Sequence, residues 1–123
     1  MAFKKVVVAG GGVLGSQIAF QAAYCGFDVT VWLRSEGSIG RTKPKLDHLL
    51  GTYERAIHDM AAGTGDWCCG IAEPGQPIDE QACLARARAA HDGIKLELDL
   101  AAAVADADLV IESMAEEAKA KNE

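Results

Sequence analysis

Gly10, Gly12 and Gly15 follow the spacing GxGxxG in the stretch VVVAGGGVLGSQ, and each glycine has a separate physical use. Gly10 permits a tight turn, Gly12 removes a side chain where backbone must approach a pyrophosphate, and Gly15 lets a helix pack closely on a strand. The free N–H groups of the first helical turn, at Val13, Leu14 and Gly15, then lie at the positive end of a helix dipole, where a diphosphate is stabilised. That chemistry is dinucleotide binding. The same letters also occur in plain strand-to-helix turns, so the reading depends on a strand before the motif and a helix after it.

A second candidate position lies where the following strand ends. An acidic residue there usually accepts hydrogen bonds from the adenosine ribose hydroxyls and selects NAD. Here the place holds Leu33, followed by Arg34 and Ser35. A guanidinium and a hydroxyl suit a 2′-phosphate, which a carboxylate would repel, so the expected cofactor is NADP rather than NAD. In the alternative, Arg34 stacks on adenine or is solvated, and Glu36 reaches the ribose. His48, His58 and His91 fall on or at the end of expected helices, where solvated or capping roles outweigh that of a general base.

These residues need a scaffold, and the hydrophobic pattern supplies one. Val6 to Ala9 is a short apolar run ending in glycines, as in a strand buried on both faces of a parallel sheet. A helix from Gly15 to Tyr24 should follow, with Ile18, Ala22 and Cys25 on one side and Gly26 as a left-handed cap. Val29 to Leu33 reads as the second strand. Thr42 is then expected to cap a long helix with Pro44 in its first turn and a stripe of Leu46, Leu49, Leu50, Tyr53, Ile57 and Met60. A loop from Gly63 to Pro77 and a second helix from Asp79 to His91, closing at Gly93, complete a helical hairpin inserted at about 42–93. Ile94, Leu96 and Leu98 alternate with polar residues, as on an edge strand. Asp99 can cap a short helix through Ala105, and Leu109 to Ile111 form a fourth, apolar strand expected to be central. The order 3-2-1-4 follows: an α/β, doubly wound parallel sheet of Rossmann type, with its second half incomplete.

Composition narrows the class. The 123 residues are expected to form one domain, with 50% hydrophobic and 24% charged residues and a net charge of −6. That balance argues against a nucleic-acid partner, which requires a clustered basic surface. No window approaches the roughly 18 apolar residues of a membrane span, and the amino terminus lacks the apolar core of a signal peptide, so a cytoplasmic protein with no membrane partner is expected. Cys25, Cys68, Cys69 and Cys83 contain no CxxC pair and read as reduced structural thiols, with no metal expected.

Three stretches, KKVVVAGGGVLGSQIAFQAAYCGFDVTVW, the helical hairpin and DLAAAVADADLVIESMAEEAKAKNE, together resemble the NAD-binding domain of the 3-hydroxyacyl-CoA dehydrogenases. The resemblance implies cofactor contacts from Glu116 and Lys121. It also implies an acyl-CoA substrate, a homodimer, and catalytic histidine, glutamate, serine and asparagine beyond residue 123, so the chain alone is expected to be inactive. Leu33 departs from the family's usual aspartate, Met114-Ala115 replaces the usual turn, and the Gly63 to Pro77 loop is longer than most. Two other readings are a ketopantoate-reductase-like NADP enzyme, suggested by VTVWLRSE, and a non-catalytic, crystallin-like nucleotide-binding protein.

Overall fold

The computed structural model describes residues 4–63, 68, 70–72 and 77–113. Strand β1 (Lys5–Ala9) leads into helix α1 (Val13–Tyr24) and strand β2 (Asp28–Trp32). Two helices follow, α2 (Glu36–Ala62) and α3 (Glu80–Gly93), then β3 (Lys95–Glu97), α4 (Leu100–Val104) and β4 (Leu109–Glu112). The four strands form one parallel sheet in the order β3-β2-β1-β4. The order agrees with that expected from the run of apolar and alternating segments, and it brings the β1–α1 turn beside the carboxyl ends of β2 and β4.

Local chemistry accounts for most of the element boundaries. Gly26, at φ 102°, ends α1 in the left-handed region, and its N–H reaches the Ala23 carbonyl at 3.0 Å. Asp79 and Asp99 cap α3 and α4 by accepting hydrogen bonds from the backbone N–H groups of Ala82 and of Ala101 and Ala102. Asp108 accepts from the N–H groups of Lys4 and Lys5 at 2.8 and 2.9 Å, which anchors the start of β1 and holds its carboxyl below the usual carboxylate range.

Three expectations need correction. Helix α2 begins at Glu36, with Ser35 as its cap, rather than at Thr42. Ser35 accepts the Ser38 N–H at 3.3 Å, which satisfies one of the donors a helix start leaves free. Thr42 is therefore interior and buried, and Pro44 lies well inside the helix. The second correction concerns α1. Its most buried side chains are Ser16, Ala19, Phe20 and Tyr24, while Ile18 and Ala22 are only partly covered and Cys25 is exposed. The helix faces both the sheet and the hairpin, so no single stripe describes it. Third, β4 is not central: among the described strands it pairs with β1 alone, and Leu109 and Val110 remain 40% and 49% exposed.

Two apolar clusters hold the layers together. Val6, Val8, Ala19, Val29, Val31 and Leu33 join one face of the sheet to α1. Phe20, Tyr24, Leu46, Ile57, Met60, Cys83, Ala87 and Ala90 join α1 to the hairpin. The second cluster carries phenols that stay protonated donors. Tyr24 gives its O–H to the Ile71 carbonyl at 2.8 Å, and burial pushes the Tyr53 phenol up to about 12.

Polar pairs clamp the hairpin from outside. Arg88 meets Glu54 at 3.0 Å, and His91 joins Asp47 at 2.6 Å and Asp92 at 3.0 Å. The hydrogen bonds to these two carboxylates raise the His91 pKa above 6.5. A raised folded-state value means the contribution is complete below pH 6.5 and lost as pH rises through the folded value. Asp47→Asn should therefore lower the His91 pKa in an NMR titration and flatten the fall in stability as pH rises above 6.5. An unchanged His91 titration would refute the clamp.

Candidate dinucleotide site

The turn between β1 and α1 is built by close backbone approach. Gly10 has φ 116°, a conformation open to glycine and strained for other residues, and its N–H donates to the Trp32 carbonyl at 3.0 Å. A Cβ on Gly15 would overlap the Gly10 carbonyl oxygen and come within 3.2 Å of Ser113 Oγ. A Cβ on Gly12 would meet none of the described residues within 4 Å. The two glycines thus serve different ends: Gly15 makes room for backbone, and Gly12 leaves room for something outside the chain.

Gly12 is the N-cap of α1, and among the described residues no side chain caps that helix end. Its first turn also contains no acid. Helix starts normally satisfy their free N–H groups with side chains, water or ligand, and an anion fits both their hydrogen bonding and the dipole. The start of α1, at Val13 and Leu14, borders a cavity of about 440 Å³. Gly10, Gly11, Gly12, Val13 and Leu14 form its floor, and Trp32, Leu33 and Ser113 its strand-end wall. Helix α2 contributes Ser38, Arg41, Thr42 and Lys45, and Arg34 completes the lining. Among the described residues, three cations and no carboxylate line this space, in a chain of net charge −6.

The structure separates the expected residues. Gly10, Gly12, Val13, Leu14, Leu33 and Arg34 line the cavity, whereas Gly15 lies beneath it. Ser35 is engaged as the α2 cap and is not in the lining. Leu33, 2% exposed, belongs to the sheet cluster, in step with Val29 and Val31 on one strand face. Its backbone N–H extends the β2–β3 pairing by donating to the Glu97 carbonyl at 2.9 Å. Glu116 and Lys121 lie outside the described residues, as do Trp67 and Cys69. His58 pairs with Glu80, His91 with Asp47 and Asp92, and His48 lies exposed on α2. None of the three histidines lines this cavity.

Sequence reasoning missed Gly11, Ser38, Arg41, Thr42, Lys45 and Ser113. Gly11 was an arbitrary letter of the motif, yet a Cβ there would overlap Thr42 Oγ1 and sit 2.6 Å from Leu33 Cδ2. The α2 residues escaped notice because the helix was expected to begin only at Thr42. Ser35 followed by Glu36 was the available signal for an earlier start. Among the described residues, no group of three or more His, Cys, Asp or Glu is arranged to hold a metal ion, and no helix is long and apolar enough to cross a membrane.

A parallel sheet in this order, with an uncapped helix end over a cation-lined cavity at its carboxyl edge, defines a dinucleotide-binding domain of the Rossmann type. Residues 5–123 match the 3-hydroxyacyl-CoA dehydrogenase NAD-binding domain, and the chain belongs to that family. No curated protein matches it. Among solved structures, it is similar to a diketoreductase at 36% identity and a TM-score of 0.72, over 98% of this chain and 35% of that one. It is also similar to FadB2 of M. tuberculosis, at 26% identity, a TM-score of 0.64, and 98% and 34% coverage. The 3-hydroxybutyryl-CoA dehydrogenase of Escherichia coli shares the fold at 22% identity, a TM-score of 0.63, and 98% and 21% coverage. The chain thus spans about a third of the length of the first two.

The family match corrects the expected cofactor: the matching domain is an NAD-binding one, so NADP does not stand. The physical basis of the error is visible. Ser35 was counted as a phosphate ligand, but its hydroxyl is taken up by the start of α2. The matches give no support to a ketopantoate-reductase-like or a crystallin-like reading.

The contrast between two glycines is testable. Gly12→Ala should fold with nearly wild-type thermal stability but lose most NADH affinity in calorimetric titration, because its methyl enters the open space. Gly15→Ala should instead lower the melting temperature, since its methyl meets backbone. Equal behaviour of the two variants would refute the assignment.

Proposed function

We propose that the cavity above α1 holds the pyrophosphate of NAD. In this reading the N–H groups of Gly12, Val13, Leu14 and Gly15 bind it, and Arg34, Arg41 and Lys45 supply the surrounding positive field. The observation that carries the reading is the meeting of an uncapped helix start with a lining that, among the described residues, holds three cations and no carboxylate. Leu33 offers the adenosine ribose only an apolar wall, because its side chain is committed to the core. Glu116 and Lys121 are proposed, through the family resemblance, as contacts near the nicotinamide end.

When bound, NAD supplies a hydride acceptor, and its reduced form a hydride donor. The proposed reaction is exchange of that hydride with the 3-hydroxyl carbon of an acyl-CoA, or the corresponding ketone. The chain's own residues bind and orient the cofactor; in the full-length protein, proposed to be a cytoplasmic homodimer, proton transfer belongs to residues beyond these 123. A second reading of the substrate draws on the 36% identity to diketoreductase, whose structure is described with dicarbonyl compounds. In that reading the ketone is part of a small dicarbonyl.

Calorimetric titration with NADH and NADPH tests the cofactor. NADH should bind saturably and more tightly than NADPH, and its affinity should fall as salt screens the three cations. The chain should bind NADH without oxidising it when acetoacetyl-CoA is added. Absence of saturable NADH binding would remove the functional reading altogether.

A further inference from the structure

The glycine turn is held by two hydroxyls, one of which comes from the inserted hairpin. The Gly11 carbonyl oxygen accepts hydrogen bonds from Ser16 Oγ and from Thr42 Oγ1, both at 3.1 Å. The two donors are buried, at 0% and 1% exposure. Thr42 lies inside α2, where a threonine hydroxyl often bonds the carbonyl one turn back in its own helix. Instead it crosses to a residue 31 positions earlier.

Two accepted bonds occupy both lone pairs of one carbonyl and so fix its direction. In a trans peptide the C=O and the next N–H point opposite ways, and the described chain contains no cis bond. With the Gly11 oxygen drawn toward the two buried hydroxyls, the Gly12 N–H is turned the opposite way, away from them. The peptide sits among three successive glycines, whose wide φ/ψ freedom leaves its plane undetermined by local sterics. An outside constraint has to choose the plane, and Ser16 and Thr42 are placed to do so.

We propose that Thr42, together with Ser16, is a positioning residue for cofactor binding, fixing the Gly11–Gly12 peptide so that the Gly12 N–H faces the pyrophosphate. The proposal rests on the NAD reading above and extends it to the hairpin, which takes part in the phosphate site through a hydroxyl behind the loop. Leu33 closes the same space: the missing Cβ of Gly11 lets both Leu33 and Thr42 pack against the loop there.

The test compares Thr42→Val, Thr42→Ser and Leu46→Ala in NADH titrations, with the Gly11 carbonyl ¹³C shift followed by NMR. Thr42→Val keeps the shape and loses the donor. It should weaken NADH binding by roughly five- to tenfold, the scale of one lost hydrogen bond, and shift the Gly11 carbonyl resonance upfield. Thr42→Ser keeps the donor and should restore most of the affinity. Leu46→Ala loosens the hairpin core without touching Gly11, so it should lower the melting temperature and leave affinity nearly unchanged. Ser16→Ala removes the other donor, should show the same selective loss as Thr42→Val, and carries the test if that variant does not fold. Wild-type affinity in Thr42→Val or Ser16→Ala, or equal losses in Thr42→Val and Leu46→Ala, would overturn the brace while leaving NAD binding intact. A wild-type chain that binds no NADH would overturn the NAD reading and the brace together.

Discussion

The site depends on backbone meeting backbone where β1 passes into α1. Helix α1 can start directly over the end of the sheet only because Gly15 has no side chain to collide with the Gly10 carbonyl. That closeness leaves the helix start uncovered and puts its free N–H groups at the mouth of the cavity. The remaining layers support this crossing. The sheet cluster fixes β1 and β2 beneath it, and the hairpin cluster fixes α1 from the other side.

Helix α2 joins these two roles. Its 27 residues begin immediately beyond the strand end, so its first turns border the cavity while its later turns build the apolar core with α1 and α3. One element therefore supplies packing through Leu46, Ile57 and Met60, cations through Arg41 and Lys45, and a buried donor through Thr42. A net negative chain presents a locally positive cavity because, among the described residues, the acids lie away from its lining. Glu54, Glu80, Asp47 and Asp92 are occupied in pairs along the hairpin, and Asp108 is tied to the start of β1.

The 3-hydroxyacyl-CoA dehydrogenase family accounts for the architecture from residue 5 onward, and it assigns NAD to this domain. Leu33 is the local departure. Its side chain continues the inward series of Val29 and Val31, filling the space beside Gly11 with hydrocarbon. An apolar residue at the strand end is thus a packing choice, and it does not indicate a second phosphate.

The glycine spacing, the apolar run of β1 and the alternation in β3 determined the layer type, the strand order and the location of the turn, because strand and helix periods and glycine's conformational range are local properties. The caps at Asp79 and Asp99 and the left-handed Gly26 were legible for the same reason. Where α2 begins was not, since Ser35 and Thr42 are both acceptable caps by composition and the choice rests on packing against the glycine turn. The inward turn of Leu33, the need for glycine at position 11 and the convergence of Ser38, Arg41 and Lys45 on the cavity were decided only in three dimensions. Each joins segments far apart in the chain, and one-dimensional spacing carries no record of which of them meet.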